Sequence, residues 1–241
     1  MADMASMLDV SVWRGADEGR FVSYPVPRRE NQTVLDVVTY VQRRLDATLA
    51  YRFSCRVGMC GSCAMTVNGV ARWTCRTHVG RVAKDGRLRI APLRNMPVIK
   101  DLSVDMAGFF AKAARAKGAF RPTADRTADF AVIAPDSPGR RRADAAIECI
   151  GCGVCYASCD VVTWNPDYLG PAALNRAWTL VNDERDGGNR ERLAAVAGDA
   201  GCHACHSHQS CMERCPKHLN PTESIAGLKR ATVLAALTGK L

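Results

Sequence analysis

The twelve cysteines of this 241-residue chain fall into three groups of four, and that clustering constrains the fold more than any other feature. The first group is Cys55, Cys60, Cys63 and Cys75. The second is Cys149, Cys152, Cys155 and Cys159, and the third is Cys202, Cys205, Cys211 and Cys215. At about 5% of residues, cysteine falls short of the roughly 8–10% of a small disulfide scaffold. The stretch Met1 to Val10 carries Asp3 and Asp9, lacks an apolar core of leader length and is not rich in arginine. A membrane span needs about 20 consecutive apolar residues, and the longest candidate, Ala231 to Leu237, is far shorter. Such a chain is expected in a reducing compartment, where clustered thiols serve metal rather than disulfides.

Spacing selects the metal. Group one reads C-x4-C-x2-C followed by a distant fourth cysteine, the run of a [2Fe–2S] loop. Gly58 and Gly61 suit a loop that wraps a cluster closely. Met65 and Val67, the Asn68-Gly69 turn and the return strand Val70 to Thr74 lead to Cys75 as fourth ligand. The competing reading is a zinc ribbon on Cys60 and Cys63, to which the x4 spacing and the single Cys75 are poorly matched. Group two reads C-x2-C-x2-C-x3-C, a [4Fe–4S] run whose fourth cysteine serves the other cluster in two-cluster proteins. Asp160 stands where proline usually follows, and it either lowers the cluster's potential or points to solvent.

Group three repeats that frame with a change. Cys205-x2-His208-x2-Cys211-x3-Cys215-Pro216 has His208 in the place of the second cysteine. In a swapped arrangement Cys149, Cys152, Cys155 and Cys215 hold a [4Fe–4S] cluster, and Cys159, Cys205 and Cys211 hold the other. Three thiolates leave one corner unligated and favour [3Fe–4S]; His208 or Cys202 as a fourth ligand is the alternative. Cys202-His203-Ala204-Cys205-His206 also matches a haem attachment motif. Haem would consume Cys205 and require export, so Cys202 reads instead as a buried small side chain.

The rest of the chain divides into two domains, 1–102 and 103–241. Leu8, Val10 and Val12 alternate as a half-buried strand, with Phe21 to Val26 as hairpin partner. Thr33 to Leu45 is helical, opened by Thr33 and Asp36. With the cysteine loop, its hairpin and a last strand over Arg87 to Ile90, these make a β-grasp domain. The remainder is Ala-rich and helical. Residues 120–142, with three X-Pro steps, read as a loop or linker, and Asn220-Pro221-Thr222-Glu223 opens the last helix. The fold class is α+β.

Lys and Arg number 33 against 24 Asp and Glu, a formal charge of +9. Arg140-Arg141-Arg142 invites a nucleic-acid reading, but no aromatic residues interleave with the charge, and the run reads as a solvated linker. No phosphate-binding glycine loop or Ser/His/Asp set is present. Each oxidised cluster with its thiolates carries roughly −2, so three bring the assembled chain to about +3. The positive charge therefore looks largely like compensation for buried anionic clusters.

This order of clusters resembles the iron–sulfur subunit of succinate dehydrogenase and fumarate reductase, over almost the whole chain. The resemblance rests on Ser54 to Cys63, Pro92 to Leu102, Asn165 to Ala172 and Cys215 to Pro221. It implies an electron-transfer subunit with no dicarboxylate site of its own. Its partners would be an FAD-containing flavoprotein subunit and a membrane anchor that holds it peripherally at the cytoplasmic face of a bacterial membrane. Electrons would pass singly between FAD and quinone through [2Fe–2S], [4Fe–4S] and [3Fe–4S]. The resemblance also places Trp164, His206 and Lys229 on the quinone side; ordinary burial of Trp164 and solvation of Lys229 are the plainer readings. Two other classes compete: an iron–sulfur subunit serving another flavin-dependent oxidoreductase, and a zinc-stabilised nucleic-acid module.

Overall fold

The computed structural model describes residues 7–241; Met1 to Ser6, part of the stretch read for a leader, lie outside the described residues. Two compact units emerge. One is Met1–Met106 with Ile150–Ser158, and the other is Ala107–Cys149 with Cys159–Leu241.

In chain order the first unit holds β1 (Met7–Arg14), β2 (Arg20–Pro27), α1 (Val34–Tyr40), β3 (Ala64–Val67), β4 (Val70–Trp73), α2 (Val79–Val82), β5 (Arg87–Ala91), β6 (Val98–Lys100) and β7 (Ser103–Val104). Five strands form one mixed sheet, ordered β2-β1-β5-β3-β4. β1 pairs antiparallel with β2 and parallel with β5. The alternation on β1 is the cause of its burial: Leu8, Val10 and Val12 are fully inside, packed with Val34, Val37 and Val38 of α1 and with Leu88 and Ile90 of β5. This is the β-grasp arrangement that the alternation and the helix predict.

Thr33 caps α1 as expected. Its hydroxyl accepts from the Asp36 N–H at 3.2 Å, and the Asp36 carboxylate accepts from the Thr33 N–H at 2.9 Å. The helix does not run as α to Leu45. From Val41 to Leu45 it widens to a π-helical turn, in which the Asp46 N–H donates to the Val41 carbonyl at 2.8 Å. Arg14, Tyr24 and Thr48 all hold the Asp46 carboxylate, which fixes where the helix must end.

The second unit contains α3 (Ala107–Arg115) and α4 (Pro138–Ala143); α5 (Val154–Ala157) folds with the first unit. Then follow α6 (Asp160–Trp164), α7 (Pro171–Val181), α8 (Asn189–Val196), α9 (Ser210–Glu213) and α10 (Pro221–Leu237). α7, α8 and α10 pack together over Leu174, Ala177, Val196, Ile225 and Leu228. A Cβ on Gly227 would sit 2.4 Å from the Trp178 ring, so glycine is what lets α10 approach α7. α8 is pinned by a fully buried ion pair, Arg192 to Asp186 at 2.7 Å, whose guanidinium also donates to the carbonyls of Lys117 and Ala119. Within residues 120–142 the chain is irregular and exposed as far as Ser137, which then caps α4. The arginine run therefore sits on a helix. Arg140 pairs with Asp144, Arg142 donates to Asn182, and the Trp178 indole donates to the Arg142 carbonyl.

Candidate metal centres

All twelve cysteines are thiols, with no disulfide among them. Among the described residues, no three His, Cys, Asp or Glu side chains converge on a point that would hold a single metal ion.

The loop after α1 brings the first group together. The Cys55 sulfur accepts N–H groups from Met59 and Cys60, each at 3.3 Å, and the Cys60 sulfur faces the Cys55 N–H at 3.5 Å. Amides aimed at sulfur favour the thiolate. The Cys55 N–H, then the Ser62 hydroxyl, hold the Cys60 thiol down at about 6. Cys63 and Cys75 are buried with Leu35 against Tyr51, Phe53 and Trp73. Burial, followed by the neighbouring Cys63, pushes Cys75 up to about 12. Thr74 locks this end, donating from its hydroxyl to the Cys63 carbonyl at 2.7 Å. Gly61 has φ +71°, and a Cβ there would lie 2.6 Å from the Cβ of Cys152. Four thiols, inward amides and a glycine approach are the donor set a small anionic iron–sulfur cluster requires.

The second group divides between the two units. Cys152 and Cys155 belong to the first, on the Gly151–Gly153 turn and α5. Gly153 has φ +77°, and a Cβ there would overlap Met96. The side-chain amide of Asn95 donates to the Tyr156 carbonyl, fixing α5 in its unit. Cys149 and Cys215 belong to the second unit, where Lys217 lies 3.6 Å from Glu148, beside each of them in sequence.

Cys159, Cys205 and Cys211 line one cavity of the second unit, with Tyr168, His206, His208, Thr222 and Ile225. Burial pushes the Cys159 and Cys211 thiols up. The Cys211 sulfur lies 3.4 Å from the Thr222 hydroxyl, and the Ser207 N–H points at the Cys205 sulfur at 3.4 Å. Three thiols around one cavity, with a polar group near two of them, match the donor chemistry of a cluster with one open corner. Tyr168 escaped the reading of the sequence. It is 1% exposed, and its phenol is pushed above its ordinary range by burial and then by the surrounding cysteines. No spacing rule marks such a wall residue.

Asp160 opens α6 in its first turn, where a carboxylate complements the helix dipole. Cys202 is fully buried, its sulfur 3.8 Å from the Thr232 hydroxyl, which also meets the His203 ring at 3.1 Å. Trp164 is 66% exposed, which removes core burial as its reason. Its ring meets that of His208 edge-on at 5.8 Å, and His208 lies 6.0 Å from His206. Lys229 is not simply solvated: its ammonium donates to the Cys205 carbonyl at 2.7 Å.

Known proteins agree with these features. Residues 9–111 match the family described as "2Fe-2S iron-sulfur cluster binding domain", and residues 148–220 that described as "4Fe-4S dicluster domain". A fumarate reductase iron-sulfur subunit of Mycobacterium tuberculosis is 35% identical over 240 residues, covering 96% of this chain and 94% of that one. A succinate dehydrogenase iron-sulfur subunit of Paracoccus denitrificans is 36% identical over 204 residues, covering 83% and 76%. A chain of the Mycobacterium smegmatis Sdh1 complex in the apo form matches with a TM-score of 0.83 at 27% identity, covering 95% and 96%. The chain therefore belongs to the iron–sulfur subunits of succinate dehydrogenase and fumarate reductase, which carry out electron transfer.

Proposed function

We propose that this chain carries electrons between an FAD-containing flavoprotein subunit and a quinone at a membrane anchor, and has no dicarboxylate site of its own. When bound, the clusters supply single-electron carriage between a two-electron flavin and the quinone. Cys55, Cys60, Cys63 and Cys75 hold the [2Fe–2S] cluster. Cys149, Cys152, Cys155 and Cys215 hold [4Fe–4S], and Cys159, Cys205 and Cys211 hold [3Fe–4S]. Cys202 stays outside the ligand set, its sulfur turned to Thr232.

The observation that carries this reading is the three-cysteine cavity and what surrounds it. Cys159, Cys205 and Cys211 share that cavity with His206 and His208. An exposed Trp164 stands against His208, and Lys229 is tied to the Cys205 carbonyl. Trp164 and His206 would orient a quinone there. Lys229 places a positive charge beside a cluster ligand. Among the described residues no helix is long and apolar enough to cross a membrane. The anchor would hold the chain peripherally, at the cytoplasmic face.

Low-temperature EPR of the oxidised protein is the test. An oxidised [3Fe–4S] cluster is paramagnetic, whereas oxidised [2Fe–2S] and [4Fe–4S] centres are silent. Its signal, lost in Cys211→Ser, is expected. A silent oxidised protein with an extra reducible four-iron centre would assign His208 or Cys202 as a fourth ligand, and a colourless zinc protein would overturn the reading altogether.

A further inference from the structure

The β-grasp unit carries a second feature, lined by none of the cluster cysteines. Between the turn joining β2 to α1 and the start of α2 lies an open cleft of ≈ 560 Å³, lined by Arg28, Arg29, Glu30, Gln32, His78 and Arg81 among others. Small-molecule sites span roughly 300–1,000 Å³. The frame of the cleft is tied together. Gln32 is 7% exposed, and its side chain is spent within the turn, accepting from the Arg29 N–H and donating to the Pro27 carbonyl, each at 3.2 Å. The Val79 N–H donates to the Gln32 carbonyl at 2.8 Å, and Thr33 pairs with His78 across the cleft as an isolated β-bridge.

The rim differs from the frame. Three arginines face one carboxylate, Glu30. Arg29 lies over the Tyr40 ring at 5.8 Å. Among the described residues, the guanidinium groups of Arg28 and Arg81 have neither an ion pair nor a hydrogen bond. A guanidinium is a rigid fork of donors that fits phosphate and carboxylate oxygens in pairs. Unspent forks gathered around a concave site of ligand size are the chemistry of an anion receptor.

We infer that this cleft binds a small polyanion, a molecule with two or more phosphate or carboxylate groups, through Arg28, Arg29 and Arg81. Occupancy bridges the β2–α1 turn to α2 and stabilises the unit by mass action.

The test is calorimetric titration of the full, cluster-loaded chain with fructose 1,6-bisphosphate and, separately, with tricarballylate. Visible absorption monitors the clusters. Saturable one-to-one binding of at least one probe is expected; which one binds tells phosphate from carboxylate. The double variant Arg28→Gln, Arg81→Gln should bind about tenfold more weakly or worse. If that variant misfolds, the pair Arg28→Lys, Arg81→Lys asks the same question, because it keeps the charge and loses the fork; several-fold weaker binding is expected. Three results overturn the inference: no saturable binding of either probe, unchanged affinity in the folded variants, or binding that vanishes once the chain is assembled with its partner subunits. The last would make the cleft a contact for an acidic protein surface.

Discussion

The loop around Cys55 and Cys60 and the cavity around Cys159, Cys205 and Cys211 solve one problem in two ways. Both must hold negative sulfur. The loop does it with backbone: amides point at the Cys55 and Cys60 sulfurs, and glycine allows the chain to come close. Its Cys60 thiol is held down at about 6 by the Cys55 N–H and then the Ser62 hydroxyl. The cavity does it with walls: Tyr168, Ile225 and Thr222 enclose thiols that burial pushes up. Backbone amides are prepaid by the fold, whereas buried thiols become favourable thiolates only when metal supplies the countercharge. The Cys55 and Cys60 end of the loop is thus set for thiolates by its backbone, whereas Cys75, like Cys159 and Cys211, is a buried thiol whose charge balance depends on iron.

The sharpest way to break this contrast is to remove a ligand from the walled site. Cys211→Ser should abolish the oxidised-state EPR signal entirely and leave the reduced [2Fe–2S] signal intact; loss of both would show the two sites to be one cooperative whole. Next in size is the pin of the helical unit. Arg192→Met leaves Asp186 buried without its partner and should cost about 3–5 kcal/mol, read by chemical denaturation.

That pair also gives a pH dependence. Burial pushes the Asp186 carboxyl up, but the Arg192 hydrogen bonds and the N–H groups of Arg121 and Gly188 outweigh it, so the net shift is downward. A depressed carboxylate contributes its full stability above its unfolded value, about 3.9, and loses it as pH falls through the folded value. The deficit of Arg192→Met relative to the parent should therefore shrink below about pH 4, as parallel denaturation series would show.

A smaller effect separates the glycines of the loop. Gly61→Ala meets both a positive φ and the Cys152 Cβ and should cost about 2–4 kcal/mol with reduced [2Fe–2S] content. Gly69→Ala, at φ +80° with nothing within 4 Å, should cost about 1 kcal/mol and leave cluster content unchanged. Equal losses at the two would remove close approach from the account of the loop. The smallest effect is at Cys202. Its replacement by serine should leave iron and sulfide content as they were, because its sulfur faces Thr232.

Much of the fold was legible because its signals are local. Alternation at Leu8, Val10 and Val12, the Thr33–Asp36 box, the Asn68-Gly69 turn and the Asn220-Pro221 start each lie within a few residues, and each appears where it is read. Helix α4 shows a local signal taken the wrong way: Ser137-Pro138-Gly139 reads as a turn, yet the same residues are an N-cap with proline at the first helical position. Other features depend on contacts distant in sequence. The π-helical end of α1 follows from Arg14 and Tyr24 holding Asp46. The tie from Lys229 to Cys205 spans 24 residues, and the place of Tyr168 follows from how the cavity closes. Spacing names the cysteines, but only packing names what stands beside them.

The position of α10 bears on how the chain is made. Cys75 is the last of the first cysteine group, while the cavity of Cys159, Cys205 and Cys211 needs Thr222 and Ile225 from α10. At about 5–20 residues per second, roughly 8–30 s of synthesis separate Cys75 from Ile225. The early loop can meet the assembly machinery while the ribosome is still at work, whereas the later cavity gains its final wall only once Thr222 and Ile225 have been made. Premature termination before Pro221 should therefore yield a protein that can still receive its first cluster but has no finished site for its last.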